Sequence, residues 1–401
     1  MQLPVDPARS PVLRTGDASG RVTTFELFFD LVYVFAFTQV SHLMAETHTA
    51  LGILQALVVL GLLWWTWCSY SWLGNQAPAD QAVVQSGMSV AMIAMFVVAL
   101  TIPEAYEDLP GGWSGPLVFV LAYTLVRFIH AGLYVIAAGS DRALRAQVLR
   151  TQALATAPAV VALTWGAIVG TPAQTWIWLG AFAWDFVVTY TSARGGGGWH
   201  LYAPAHWAER YGLIVILALG ESIVAIGVGV AEEAIDGAIA LGTVLAVSLS
   251  ILLWRAYFAR LSAAGEHALE RRRDAARVVF ARDAYTYLHF FIVAGVIHAA
   301  LGVEQAMAHI GEGEAFGVFG ASALGGGLAV YLGGTAVFGR SAGLPWPIGR
   351  LAATLALVAA IPLLGALTPL WALVLAMALV AMTVAAEAMA RVKTPTASPS
   401  F

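Results

Sequence analysis

The chain has 401 residues, of which 60% are hydrophobic and 11% charged, with a net charge of −4 and a mean hydropathy of +0.78. That composition excludes a soluble globular domain of this length, and the roughly ten-residue alternating strands of a membrane β-barrel are absent. The lone cysteine, Cys68, lies inside an apolar run, which excludes intrachain disulfides and cysteine-based metal sites.

The sequence therefore reads as an all-α polytopic membrane protein. Residues 1–21 form an arm without a continuous apolar stretch, so no cleavable signal is expected there. Apolar runs of about 20 residues, enough to cross a ~30 Å hydrocarbon core as helix, then recur along the chain. They predict twelve spans, at 22–45, 50–73, 81–102, 115–138, 152–170, 173–192, 211–230, 237–259, 284–303, 316–337, 348–366 and 369–390. Pro and Gly punctuate the turns, as in "NQAPAD" and "RSAGLPWPIG". Residues 392–401 form a short polar tail.

Basic residues are sorted between alternate connections. One set carries Arg142, Arg145, Arg150, Arg194, Arg210, the "ERRRDAARVVFARD" loop, Arg340 and Arg350, whereas the opposite set is acidic, with Glu104, Glu107, Asp108, Glu232, Glu233, Glu304 and Glu312. By the positive-inside rule both termini are expected in the cytoplasm, and the span count is even.

Short matches recur in order between the two parts of the chain. "LLWWTWCSY" answers "LLWRAYFAR", "MFVVAL" answers "FFIVAG", and "TPAQTWIWLGA" answers "TPLWALVLAMA". They predict two parallel six-helix repeats, 22–198 and 199–391, related by an axis along the membrane normal. Spans one and seven then become equivalent first helices, and both carry carboxylates.

Ionisable groups at bilayer depth cost ~2.5–3.5 kcal/mol on insertion scales and usually face a bundle interior or an aqueous cavity. Those too deep to be loop residues are Asp30, Arg127, Asp185, Glu221 and Arg255, with His130, His289 and His298 as titratable neighbours. Glu26 fits a capping box with Thr23, one turn before Asp30. Asp30 lies two turns into the helix on a stripe continued by Tyr33, Phe37 and Ser41. It is either a working carboxylate or half of a buried ion pair, with Arg127 or Arg255 as partner. Glu221, between Gly220 and Ser222, falls near the middle of span seven. It is either a proton-relay or cation site, with small neighbours that let another helix approach, or a salt-bridge partner of Arg127. Arg255 is close enough to its helix end to snorkel. His289 and His298, nine residues apart, lie on opposite sides of their helix and cannot share one metal or haem. His42, Glu46 and His48 read as helix-end polarity rather than a metal site. No phosphate loop, His-Glu-x-x-His helix or Gly-x-Ser-x-Gly elbow is present, so neither cofactor nor metal is expected, and no nucleic-acid partner.

"FELFFDLVYVFAFTQVSHLM" and "ERYGLIVILALGESIVAIG" together resemble the low temperature requirement A (LtrA) family of bacterial membrane proteins. The matching residues are Phe25, Glu26, Phe28, Phe29, Asp30 and Leu31, then Glu209, Arg210, Gly220, Glu221 and Ser222. The resemblance implies a multi-pass protein of the bacterial plasma membrane and supplies no mechanism. A more distant similarity is to lysosomal potassium channels built from paired six-helix repeats with an Arg-x-x-x-Phe-Ser-Asp motif. Here Arg21 and Phe25 are followed by Glu26 and Leu27 instead.

Three functions fit these features. A proton- or cation-linked transporter or channel would use Asp30 and Glu221, with Arg127, Asp185, Glu26 and Ser222 around them and Glu209, Arg210, Arg255, His130 and His298 as secondary candidates. Its partners would be the lipid bilayer and a small ion or solute. The alternatives are a structural or sensory membrane protein whose buried charges specify helix packing, and a membrane-embedded cofactor or lipid enzyme.

Overall fold

A computed structural model describes residues 20–192, 199–231 and 233–393, with side chains to residue 390. Most of the N-terminal arm, the glycine run before Trp199, Glu232 and the end of the C-terminal tail fall outside the described residues. The protein is 83% helical, with no strand among the described residues.

Among the described residues twelve helices follow one another: α1 (Thr24–Thr47), α2 (Ala50–Gln76), α3 (Ala82–Leu100), α4 (Gly115–Ala138), α5 (Arg142–Val169), α6 (Ala173–Ser192), α7 (Pro204–Gly229), α8 (Gly237–Arg271), α9 (Asp274–Ala308), α10 (Gly317–Ser341), α11 (Ile348–Ala366) and α12 (Pro369–Lys393). Eleven are long and apolar enough to cross a membrane. The twelfth, α6, is diluted by Gln174, Thr175, Asp185, Thr189 and Thr191.

Every predicted span has its helix, but several helices outrun the apolar windows. α5 begins at Arg142, α7 at Pro204 and α9 at Asp274, and α8 continues past a turn at residues 259–260 to Arg271. Hydropathy marks what sits in hydrocarbon, whereas a helix continues until its backbone is broken. The first turns of α5 bury Leu144, Gln147, Val148 and Thr151 and leave Arg142, Arg145 and Arg150 exposed, a half-buried helix with no 20-residue apolar run.

Helix ends are set by local chemistry. α1 opens on the expected capping box: the Glu26 amide donates to Thr23 Oγ1 at 3.2 Å and the Thr23 amide to Glu26 Oε2 at 2.9 Å. The Asp141 carboxylate accepts from the Ala143 and Leu144 amides, both at 3.0 Å, and caps α5. α4 and α5 end at Gly139 and Gly170, whose φ angles of 51° and 78° lie where a Cβ is strained. Asp141→Ala should therefore cost about 1 kcal/mol, read as a lowered midpoint in thermal unfolding of the detergent-solubilised protein.

The chain divides into two compact units. The first holds residues up to Ala36, Gly61–Arg210 and Arg272–Ala281; the second holds Phe37–Leu60, Tyr211–Arg271 and residues from Arg282 onward. In the first, α3 packs on α4, α4 on α5 and α5 on α6, with Trp178 stacked on Phe119 and donating to the Leu163 carbonyl at 2.9 Å. In the second, α9 and α10 form the most intimate seam, α10 also packs on α11, and α12 packs on α8 and α11. A π turn interrupts α5 at Gln152–Thr156 and another interrupts α9 at Ala281–Tyr287. Each frees backbone carbonyls or re-aims side chains, and both supply partners to buried polar groups.

Candidate functional site

In the first unit the opening turns of α1 and α7 carry a buried ionic ladder. His206 Nε2 lies 3.0 Å from Glu26 Oε1, and Arg210 Nη2 donates to Asp30 Oδ1 at 2.9 Å. Both pairs join residues 180 apart in sequence, and on each helix the partners are one turn apart, so α1 and α7 run parallel and in register here. Arg210 Nη1 also reaches Glu26 Oε1 at 3.4 Å, and the Trp67 indole of α2 donates to Asp30 Oδ1 at 3.0 Å. The guanidinium lies 5.5 Å from the Trp67 ring centre, within cation–π range. Glu26, Asp30 and Arg210 are all at most 1% exposed. A Cβ on Gly74 would meet Glu26 Oε1 at 2.5 Å, so α2 needs glycine there to admit the carboxylate.

This geometry corrects three sequence-based readings. The partner of Asp30 is Arg210, not Arg127 or Arg255. Arg210 is no loop residue, since α7 begins at Pro204 and carries it two turns in; two carboxylates make that burial tolerable. Glu26 is more than a cap, because the Oε2 that closes the capping box also faces His206, at 3.1 Å. Glu209, by contrast, is exposed and accepts from the Val22 amide at 3.1 Å.

A second buried pair lies in the same unit. Arg127 Nη2 on α4 is 2.9 Å from Asp185 Oδ2 on α6 and donates to Thr156 Oγ1, at the π turn of α5, at 2.6 Å. Arg127 is thus spoken for by Asp185 and is not the partner of Glu221. His130, one turn on, packs edge-on against Tyr70 and Tyr134 with ring centres 5.4 and 5.5 Å apart.

Glu221 lies in the second unit in a different setting. It is 2% exposed, and Thr38 Oγ1 of α1 donates to its Oε2 at 2.6 Å, with the Ser41 hydroxyl one helical turn on beside it. Among the described residues no basic side chain is in ion-pair contact with it. Glu304, near the end of α9 and part-buried, is close enough for its charge to act on Glu221. The charge pattern of the sequence assigns Glu304 to an acidic connection; α9 runs on to Ala308 and makes it a helix residue. Ser222 is buried, with its Oγ in no hydrogen bond. Gly220 meets nothing within 4 Å of a Cβ position, so it is not the helix-approach glycine that its place beside Glu221 suggested.

The remaining candidates separate. Arg255 is exposed, as snorkelling requires. His289 is fully buried, with Nδ1 donating to the Ala284 carbonyl of the π turn at 2.9 Å and Nε2 accepting from the Tyr257 hydroxyl at 2.8 Å; it is a satisfied core histidine. His298 is half-buried, and its Nδ1 makes no hydrogen bond. His42 pairs with Glu46 at 3.5 Å on the surface. Arg350, also read as a loop residue, is buried and held by Glu387 at 2.6 and 2.9 Å.

Residues 21–386 match the family of the bacterial low temperature requirement A protein, LtrA. The chain belongs to the LtrA family. It is also 28% identical over 302 residues to an uncharacterized protein of Rhizobium meliloti (strain 1021), covering 71% of this chain and 69% of that one. No solved structure matches. Within this LtrA protein, the residues that carry the resemblance include Glu26, Asp30 and Arg210 of the ionic ladder. Phe29 beside them is buried, whereas Phe28 and Leu31 turn outward at 54% exposure each, as lipid-facing positions of α1 would. Membership and the helical architecture make this a multi-pass membrane protein.

The ladder could have been anticipated from one sequence signal. His206 and Arg210, both basic residue types, repeat the four-residue spacing of Glu26 and Asp30 at the start of α7. The contributions of Trp67, Thr156 and Thr38 carry no such mark, because each depends on which helices meet.

Proposed function

We propose that this protein is a proton- or cation-linked transporter or channel in which Glu221 is the working carboxylate. The observation that carries the reading is the contrast between carboxylates. Glu26, Asp30, Asp185 and Glu387 each face a basic partner, whereas Glu221 is buried with the Thr38 hydroxyl as donor and, among the described residues, no basic side chain in ion-pair contact. A carboxylate at membrane depth without a counter-charge is costly as a bare anion and is satisfied by a proton or a cation that can come and go. The Thr38 and Ser41 oxygens are ligands a hard cation accepts, and Glu304 adds a second carboxylate nearby. The reading includes two parallel six-helix repeats, 22–198 and 199–391, with both termini cytoplasmic. The parallel register of α1 and α7 and the sorting of basic and acidic connections support it.

Purified protein in proteoliposomes, loaded with a pH-sensitive dye and given proton, Na⁺ or K⁺ gradients, tests the proposal. Glu221→Gln should lower flux at least about tenfold, the effect of about 1.4 kcal/mol on a barrier, while leaving the unfolding midpoint close to wild type. Undiminished flux through a well-folded Glu221→Gln variant would rule the reading out. A packing role for the charges of the first unit has its own support in the closed Glu26–His206–Arg210–Asp30 ladder. On that view Asp30→Asn lowers stability and leaves flux per folded molecule unchanged.

A further inference from the structure

The second unit contains a cavity of about 630 Å³ that plays no part in the Glu221 proposal. It lies where the turn of α8, the end of α10, the loop before α11 and the last turns of α12 come together. Its floor is Arg350, 3% exposed, whose Nε and Nη2 are fixed by Glu387 and whose Nη1 makes no hydrogen bond. Arg260 stands exposed at the rim. Trp346, 52% exposed, closes one side, and the Arg340 guanidinium lies 5.9 Å from its ring centre. Among the described residues, three guanidinium groups against the one Glu387 carboxylate leave a surplus of two positive charges around the opening.

The other wall is apolar. Leu344, Pro345 and Ala386 line it, and Ala386 belongs to the outward side of α12, where Met382 and Met389 are 60% and 61% exposed. The cavity therefore pairs a cationic mouth with an apolar flank continuous with a lipid-facing helix surface. A hydrated cation is repelled by the charge surplus, and a free small anion has no use for the apolar flank. Basic pockets between transmembrane helices at the cytoplasmic side suit anionic lipid head groups, and an exposed tryptophan beside arginine is the usual composition of the membrane–water boundary.

We propose that this cavity binds an anionic phospholipid, with the head-group phosphoryl against Arg260 and Arg350 and an acyl chain along the outer face of α12. The test uses the full-length purified protein, delipidated in neutral detergent. Unfolding midpoints are measured against added phosphatidylglycerol, phosphatidylcholine or inorganic phosphate. Phosphatidylglycerol should raise the Tm in a saturable manner, and the other two should not. Arg260→Gln, at an exposed rim position, should raise the concentration needed for half the effect about fivefold, the share expected of one basic residue at a lipid surface. Ala386→Trp, which fills the flank from an exposed position, should abolish the rise while leaving the lipid-free Tm near wild type. An equal rise with inorganic phosphate would make this a free-anion site and overturn the proposal. So would an unchanged phosphatidylglycerol response in both variants, or no response in wild type.

Discussion

Arg210→Met will destabilise the protein by about 3–5 kcal/mol, the cost of removing one partner from a buried ion pair, and much of the variant will be lost as unfolded material. Methionine replaces the unbranched stem of the side chain with a flexible apolar one, so the packing of the stem is largely kept. What it removes is, among the described residues, the only cation that touches both Glu26 and Asp30, at 3.4 and 2.9 Å. Glu26 keeps His206 and the Thr23 amide, but Asp30 is left at 0% exposure with, among the described residues, the Trp67 indole as its remaining donor. The informative comparison is the triple variant Glu26→Gln, Asp30→Asn, Arg210→Met. With all three charges gone the penalty should shrink to about 1–2 kcal/mol, because replacing a whole buried ionic group is far less costly than orphaning part of it. Thermal unfolding of the three proteins in one detergent reads the difference. A single variant as stable as wild type would mean the ladder contributes nothing.

The architecture was legible in the sequence wherever it depends on hydrocarbon thickness. All twelve apolar windows became helices because a chain in lipid has to satisfy its backbone internally. The ends were less legible, for a related reason. Beyond the hydrocarbon a helix needs only half a buried face, as at Leu144 and Val148 of α5 or Leu261, Ala268 and Leu269 of α8, and such stretches have loop-like composition. Arg210 and Arg350 suffered from this most. Each sits at the edge of an apolar run, where a charge reads as part of a connection, yet one faces Glu26 and Asp30 and the other Glu387.

For the candidate site the depth of a charge could be read, but its partner could not. Asp30, Arg127, Asp185 and Glu221 stood out because ionisable groups rarely sit so far inside an apolar run. Which of them neutralise one another depends on helix adjacency, which one sequence does not carry. That Arg127 meets Asp185 while Glu221 meets Thr38 is what separates packing charges from a candidate working carboxylate. The π turns were equally hidden. Thr156 and Thr286 lie in unremarkable stretches, yet they bond Arg127 and Tyr211 at 2.6 and 3.1 Å.

Two adjacent glycines of α10 should respond to the same substitution with opposite sign. At Gly327 a Cβ would collide with the backbone of His298 and Ala299 on α9, whereas at Gly326 it would meet nothing within 4 Å. The α9–α10 seam relies on backbone-to-backbone approach: a Cβ on Gly302 would strike the Leu324 backbone, and one on Gly295 would lie 2.5 Å from the Tyr331 amide. In a membrane, where lipid is as apolar as the side chains, such close packing is a principal source of helix association. Gly327→Ala cannot be absorbed by a side-chain shift, because the atoms in the way are main chain. It should cost about 3 kcal/mol or more, the upper end of overpacking penalties. Gly326→Ala removes backbone freedom from the unfolded state at no steric cost and should be neutral or stabilising by up to about 1 kcal/mol. Unfolding midpoints of the two single variants, measured side by side, decide it. Equal shifts would mean that α9 and α10 are further apart than this seam requires.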